Sequence, residues 1–154
     1  MKCELCGTVE QLPLDAIYAQ CFNCKGIIRK FEFRLSLDEE KSRYLEHNND
    51  VRDIRYQNFT APVTNYILSN YDSNHEGLDY GCGPGPVIAH VLNKNGYNPV
   101  LFDPYFKPDK GYTTRLYDYI YSCEVFEHFW QPAREIEHLL SLLKPKGKLI
   151  VHTA

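Results

Sequence analysis

The stretch "LDYGCGPGP", residues 78–86, decides the fold because three glycines lie between an apolar strand and a predicted helix. Missing side chains at Gly81, Gly83 and Gly85 let a nucleotide-like ligand approach the backbone and the N-terminus of that helix. The dinucleotide fingerprint is GxGxxG, whereas here the third glycine comes one residue early and Pro86 follows it. The loop therefore predicts a nucleoside cofactor other than a nicotinamide dinucleotide.

The chain around this loop alternates short apolar runs with helical segments, which is typical of an α/β domain with a parallel sheet. We predict strands at residues 77–80, 99–102, 117–122 and 148–153, and helices at Pro86–Lys94 and Pro132–Leu143. Asp103 directly follows the second of these strands, where an acid can accept hydrogen bonds from both hydroxyls of a ribose. The glycine loop and this acid thus indicate the same class of ligand.

Four segments carry a family resemblance: "GLDYGCGPG", "VLFDP", "YDYIYSCEVFEHF" and "LLKPKGKLIVHT". They are similar, in this order, to motifs I, II, IV and V of class I S-adenosylmethionine-dependent methyltransferases. The resemblance covers residues 70–154 and implies a Rossmann-like α/β sheet that binds S-adenosyl-L-methionine. It assigns the methionine part of the cofactor to Asp79 and the backbone of Gly81, Gly83 and Gly85, the ribose hydroxyls to Asp103, and the adenosyl group to the vicinity of Ser122 or Cys123.

Two features depart from the family pattern. Only "PYFKPDKGYTTRL" lies between Asp103 and Tyr117, where the family has a helix, a strand and a loop that recognises adenine. We expect adenine to be held by apolar contacts and backbone rather than by Asp109. The chain also stops at "VHTA", whereas the family continues through two more strands. We therefore expect a sheet that is truncated after the strand corresponding to the family's fifth. The chain would then be a fragment, or a homodimer that pairs across this edge.

The segment "SCEVFEHF" supplies the catalytic candidates Glu124, Glu127 and His128, which would share one face of a helix. A similar E-x-x-E-H run supplies ligands for a divalent metal in small-RNA 2′-O-methyltransferases, and quinone-type O-methyltransferases carry a similar stretch. By that resemblance the three residues hold Mg²⁺, which lowers the pKa of an acceptor hydroxyl. Two alternatives stay open: His128 acts as a metal-free general base, or the acids complement a helix N-terminus while His128 packs against Phe129 and Trp130.

Two CxxC pairs, "CELCG" and "CFNCKG", lie in the first 24 residues. Such pairs form tight knuckles that each wrap two thiolates around one cation, and two knuckles complete a closed tetrahedral shell. We predict a structural zinc ion with the ligands Cys3, Cys6, Cys21 and Cys24. The residues between the pairs are long enough for a β-hairpin, and metal binding would supply most of the folding free energy of so short a segment.

Helical signals follow the cysteine pairs. Ser36 and Glu39 form a capping box, which predicts a helix at about residues 37–47. A second helix is predicted to begin near Thr60, with Pro62 in its first turn, where a missing N–H is harmless.

The chain is therefore predicted to divide into three parts: a zinc-ribbon-like segment at 1–35, a helical linker or lid at 36–71, and a partial S-adenosylmethionine-binding domain at 72–154. The ribbon and the "RYLEHNND" that follows it resemble the start of a group of bacterial methyltransferases with an N-terminal zinc-binding segment. With 17 basic and 20 acidic residues the net charge is -3, which argues against a general attraction to nucleic acid or to an anionic membrane. There is no signal-peptide h-region and no apolar run of membrane-spanning length, so we expect a cytoplasmic protein.

These observations predict a methyltransferase that acts on a small molecule, with a lean towards O-methylation because a hydroxyl needs help to lose its proton. One alternative is an RNA methyltransferase, since ribosomal-RNA methyltransferases with N-terminal zinc modules exist, but the ribbon lacks a basic stripe. Another is a non-catalytic zinc-ribbon interaction protein on a degenerate methyltransferase fold.

Overall fold

The ribbon is a small antiparallel meander in the computed structural model, which describes residues 2–36, 38–39, 41–42 and 50–153. Its strands are β1 (Gln11–Pro13), β2 (Tyr18–Cys21) and β3 (Ile27–Arg29), in the order β1-β2-β3. The turn between β1 and β2 is fixed by Asp15, whose Oδ1 accepts from the N–H groups of Ile17 and Tyr18 at 2.7 and 2.6 Å. The hairpin predicted between the cysteine pairs is confirmed.

The capping box after the ribbon is present. The N–H of Ser36 donates to Oε2 of Glu39 at 2.8 Å, and the N–H of Glu39 donates to Oγ of Ser36 at 3.4 Å. The remainder of the helix predicted at 37–47 lies largely outside the described residues.

Helix α1 spans Ile54–Asn70. Asp53 caps its N-terminus by accepting a hydrogen bond from the N–H of Arg55 at 2.9 Å. The prediction that this helix begins near Thr60 is wrong. That prediction assumed that Pro62 lies in the first turn, whereas Pro62 lies in the interior of the helix. The buried apolar face of α1 packs on the core, and that burial outweighs the backbone hydrogen bond that Pro62 cannot make.

A four-stranded parallel sheet forms the main body, in the order β5-β4-β6-β7. Its strands are β4 (Gly77–Tyr80), β5 (Val100–Phe102), β6 (Tyr117–Cys123) and β7 (Leu143–His152), and its helices are α2 (Val87–Lys94) and α3 (Pro132–Ser141). The predicted α/β architecture is confirmed. Within the part of the chain that is described, no helix has both the length and the apolar character needed to cross a bilayer.

The end of α3 and the start of β7 differ from prediction. The helix ends at Ser141 rather than Leu143, and the strand begins at Leu143 rather than at residue 148. Leu143 pairs with Tyr117 while Lys148 pairs with Tyr119, so a register shift separates the two parts of β7. The hydrophobic pattern of the sequence predicted only the second part of β7, which is apolar.

The tyrosines of β6 fill the core on both faces of the sheet. Tyr119 and Tyr121 pack with α1 and α2 on one face, whereas Tyr117 packs with Leu139 of α3 on the other. Simple alternation would put all three tyrosines on one face, and the register shift between Tyr117 and Tyr119 reverses the first of them. Helices therefore cover both faces of the sheet, as parallel sheets require.

The connection from β5 to β6 is short, as the sequence predicted. Asp103 and Lys107 exchange backbone hydrogen bonds of 3.0 Å, and a 3₁₀ turn follows at Lys110–Thr114. Asp109 caps this turn by accepting from the N–H of Gly111 at 2.8 Å. Its carboxylate is thus engaged in local structure, and how adenine is held stays a prediction.

Candidate active site

The glycine loop follows the carboxyl end of β4 and is tied to the neighbouring strand. The N–H groups of Gly81 and Cys82 donate to the carbonyl of Phe102 at 2.8 and 3.0 Å. Gly81 and Gly83 have φ values of +85° and +62°, which glycine adopts without strain. Gly85 is buried just before α2. The loop is therefore a fixed backbone surface at the edge where the strands end.

Asp103 joins this surface from the end of β5. Its Oδ2 accepts from the N–H of Gly83 at 2.9 Å, and its Oδ1 accepts from the N–H groups of Tyr105 and Phe106 at 2.8 and 3.0 Å. Backbone donors thus fix the orientation of a carboxylate that is only 6% exposed. The structure brings the loop and the acid together as the sequence predicted.

The loop is packed at one glycine and open at another. A Cβ on Gly81 would lie 2.4 Å from Cγ2 of Val125, whereas a Cβ on Gly83 would have nothing within 4 Å. The open space in front of Gly83 suits a ligand that approaches the backbone. This feature fits the cofactor that the family resemblance implies.

Asp79 is a buried acid beside the loop. Burial raises the pKa of Asp79 to about 8, and the charge of Asp103 adds to the rise. The nearby Tyr121 hydroxyl offsets part of this rise in pKa. This hydroxyl forms no hydrogen bond with Asp79 or with any other described residue. A cationic group such as the ammonium of a methionine moiety would offset the cost of ionising this carboxyl. The donor set therefore fits S-adenosylmethionine.

Ser122 and Cys123, predicted to lie beside the adenosyl group, end strand β6. The Ser122 hydroxyl is fully buried and donates to the carbonyl of Tyr80 at 2.8 Å, so it links β6 to β4. Cys123 Sγ lies 3.4 Å from Nδ1 of His152, and burial raises the pKa of this thiol to about 12. A protonated thiol is a poor nucleophile. Contact with an adenosyl group stays a prediction for both residues.

The segment after β6 is a tight turn, not an α-helix. Glu124 has φ +55°, and the following 3₁₀ turn, Phe126–His128, is closed by a 2.9 Å hydrogen bond from the N–H of His128 to the carbonyl of Val125. The premise that Glu124, Glu127 and His128 share one helix face is therefore wrong. Glu127 Oε1 and His128 Nε2 are 3.9 Å apart, with side chains 35% and 37% exposed.

These three side chains do not form a cluster with the spacing of metal ligands. Over the described ranges, the four cysteines are the only group of His, Cys, Asp and Glu side chains whose ligand atoms lie close enough together for one ion. The Mg²⁺ site at Glu124, Glu127 and His128 stays a prediction, and the geometry of the turn does not favour it.

The four cysteine sulfurs do converge. Cys3 and Cys24 Sγ atoms are 3.7 Å apart, Cys6 and Cys21 Sγ atoms are 3.5 Å apart, and all four lie within 4.8 Å of one another. A tetrahedral ion with Zn–S bonds of about 2.3 Å places its sulfurs roughly 3.8 Å apart. The cluster therefore fits a structural zinc ion in size and in donor type.

A cavity of about 250 Å³ lies between the ribbon and the turn that carries Glu127 and His128. On the ribbon side it is lined by Arg29 and Arg34. Arg34 forms an ion pair with Glu4, and its guanidinium lies 5.4 Å from the centre of the Trp130 ring. Sequence reasoning missed this cavity, because no local pattern shows how the ribbon packs on the sheet domain.

The match to a family profile agrees with this fold. A family profile described as "Methyltransferase domain" matches residues 34–154, which include the whole parallel sheet. Among solved structures, the chain is similar to the plantazolicin methyltransferase BpumL in complex with a pentazolic desmethylPZN analog and SAH. That match has 20% sequence identity and a TM-score of 0.40, and it covers 71% of this chain and 50% of that one.

This chain thus spans about half the length of that methyltransferase. A comparison with curated proteins gives no match. The profile covers well over half of the chain, and the glycine loop, the acid after β5 and the strand order are all present. The chain belongs to the methyltransferase-domain family and has the fold of a class I S-adenosylmethionine-dependent methyltransferase.

Proposed function

We propose that this protein transfers a methyl group from S-adenosylmethionine to a hydroxyl of a small molecule in the cytoplasm. The observation that carries the proposal is the 2.9 Å hydrogen bond from Gly83 to Asp103, which joins the two halves of the cofactor site. When bound, the cofactor supplies an electrophilic methyl group. The open face at Gly83 and the carboxyl of Asp79 would hold the methionine part, and Asp103 would accept hydrogen bonds from the ribose.

His128 is the residue we propose as the general base. It lies on the turn whose Val125 contacts Gly81, so the turn adjoins the cofactor loop. An imidazole can take a proton from an acceptor hydroxyl near neutral pH, and the nearby Glu127 would stabilise the imidazolium that forms. We favour this route over a metal-assisted one because the three candidate ligands do not converge.

Calorimetry with S-adenosylhomocysteine tests the cofactor assignment. We expect Asp103→Ala to weaken binding on the order of tenfold to a hundredfold, the usual value of hydrogen bonds to a charged group. Asp109→Ala is the matched control, because it removes an acid from the same connection that caps a surface turn. No binding to the wild-type protein, or equal binding to both variants, would support the non-catalytic alternative.

A methyl-transfer assay with labelled S-adenosylmethionine and a panel of hydroxylated acceptors tests the base. His128→Gln should lower the turnover rate by about 10²–10⁴ without changing cofactor affinity. His75→Gln, which removes an exposed imidazole paired with Asp72, is the control and should keep wild-type turnover. Wild-type turnover in the His128 variant would exclude this role.

The ribbon cations argue against an RNA substrate. Lys30 Nζ donates to the carbonyls of Asp15 and Ala16 at 2.8 Å, and Lys25 Nζ lies 4.9 Å from the centre of the Phe22 ring. Arg29 lines the cavity described above. The three cationic side chains thus make separate local contacts. They do not form the continuous basic stripe that binds a phosphate backbone. Full activity after neutralising Lys25 and Lys30 would agree with a small-molecule acceptor.

A further inference from the structure

The cavity between the ribbon and the turn after β6 has in its wall the half-buried cationic side chain of Arg29. The Nε of Arg29 is buried without a hydrogen bond, and no described residue forms an ion pair with this guanidinium. A buried donor that is left unsatisfied is costly, and a charged one more so. An anionic group inside the cavity would remove that cost.

The other charges around the cavity already have partners. Glu4 is paired with Arg34, and Glu127 lies 3.9 Å from His128. Among the described charged residues of the lining, Arg29 is therefore the one that a bound anion would neutralise. A guanidinium binds a carboxylate through two parallel hydrogen bonds, which makes a carboxylate the simplest occupant.

Aromatic rings form part of the remaining wall, together with aliphatic side chains, and the space is small. Phe126, Phe129 and Trp130 line the cavity, and Trp130 is held edge-on against Phe31 with ring centres 6.1 Å apart. Aromatic walls favour a flat apolar body. A volume of about 250 Å³ is just below the range of drug-sized pockets, which suits a single ring.

We propose that this cavity binds the methyl acceptor, and that the acceptor is a one-ring hydroxylated compound with a carboxylate that pairs with Arg29. His128 and Glu127 line the same cavity, so the proton-accepting group and the anion-binding group face one bound molecule. The proposal rests on the methyltransferase function above and names its substrate class. It also gives the zinc ribbon a role, since β3 carries Arg29.

The single tryptophan of the chain makes the test direct. Trp130 is the only tryptophan and lines the cavity, so its fluorescence reports occupancy. We would titrate the zinc-loaded full chain with 4-hydroxybenzoate and with the neutral analogue 4-hydroxybenzyl alcohol. The acid should change the fluorescence and bind on the order of tenfold or more tightly than the alcohol, as expected for a charge-assisted pair.

Arg29→Gln should remove the preference for the acid, whereas Lys25→Gln removes one charge from the same ribbon and should keep it. Equal affinity for acid and alcohol, no response to either, or an unchanged preference in Arg29→Gln would overturn the proposal. The comparison of the two probes uses the wild-type protein and does not depend on how the variants fold. Failure of S-adenosylhomocysteine to bind, with the acid still bound through Arg29, would instead refute the proposed methyl transfer.

Discussion

Gly81 touches Val125 so closely that a Cβ on the glycine would lie 2.4 Å from a methyl group of the valine. The first residue belongs to the loop after β4 and the second to the turn after β6. This contact therefore sets the spacing between the cofactor loop and the turn that carries the proposed base.

The first two glycines of the loop, Gly81 and Gly83, can be distinguished by experiment. Gly81→Ala meets both the clash with Val125 and a φ of +85°, and we expect it to lower the melting temperature by roughly 5 °C or more. Gly83→Ala meets only the cost of a φ of +62°, but its methyl group enters the open face. It should keep most of the stability and lose cofactor affinity. Thermal unfolding and calorimetry on both variants check this, and equal stability losses would contradict it.

Short-range patterns were sufficient for the sheet, the glycine loop with Asp103, and the cysteine cluster. Each depends on the spacing of residues at a strand end or within a knuckle, and the structure keeps that spacing. The turn after β6 was beyond such reasoning. The N–H of Glu124 donates to the carbonyl of His152 at 2.9 Å, a contact with the neighbouring strand that replaces the helix expected from the local pattern.

Long-range packing also explains the other differences. Helix α1 begins after Asp53 because that side chain caps the N–H of Arg55, and the partly buried Tyr56 packs on the core before the start that Pro62 suggested. The cavity needs Arg29 of the ribbon and Trp130 of the sheet domain, which are far apart in the chain. Neither feature leaves a signal in a local window.

The pH dependence of stability should carry the signature of Asp79. Burial raises its pKa to about 8, whereas an aspartate in an unfolded chain has a pKa of about 3.9. Between these values the folded state keeps a proton that the unfolded state has lost, so the free energy of unfolding falls as the pH rises. Asp79→Asn should flatten this decline and melt above the wild-type protein at alkaline pH. Thermal scans without cofactor check this, with Asp109→Asn as the control that keeps the wild-type slope.

The two zinc knuckles make a matched pair with one difference. Gly7 and Lys25 occupy equivalent positions, with φ values of +80° and +62°, and their N–H groups donate to the carbonyls of Cys3 and Cys21 at 2.8 and 3.1 Å. Only the second knuckle forces a side chain into the left-handed region. Lys25→Gly should therefore bind zinc about fivefold more tightly than Lys25→Ala, since both lose the contact with Phe22 but only one relieves the strain. Competition with a chromogenic chelator measures this, and equal affinities would show that the backbone is unstrained.

Removal of zinc should abolish binding at the acceptor cavity and leave binding at the cofactor site unchanged. Metal binding supplies the folding free energy of so small a ribbon, so chelation or Cys21→Ser is expected to unfold it and to withdraw Arg29 from the cavity. The hydrogen bond between Gly83 and Asp103 lies in the sheet domain and should survive. We expect binding of 4-hydroxybenzoate to disappear while S-adenosylhomocysteine still binds.

Metal analysis on the same samples completes this prediction. The wild-type protein should hold one zinc ion per chain, and Glu127→Ala and His128→Ala should hold the same amount, because the cysteines are the only cluster of the described residues with ligand spacing. Added Mg²⁺ should not change methyl transfer. A metal lost with His128, or an acceptor that still binds after the ribbon has unfolded, would show that the turn and not the ribbon controls the site.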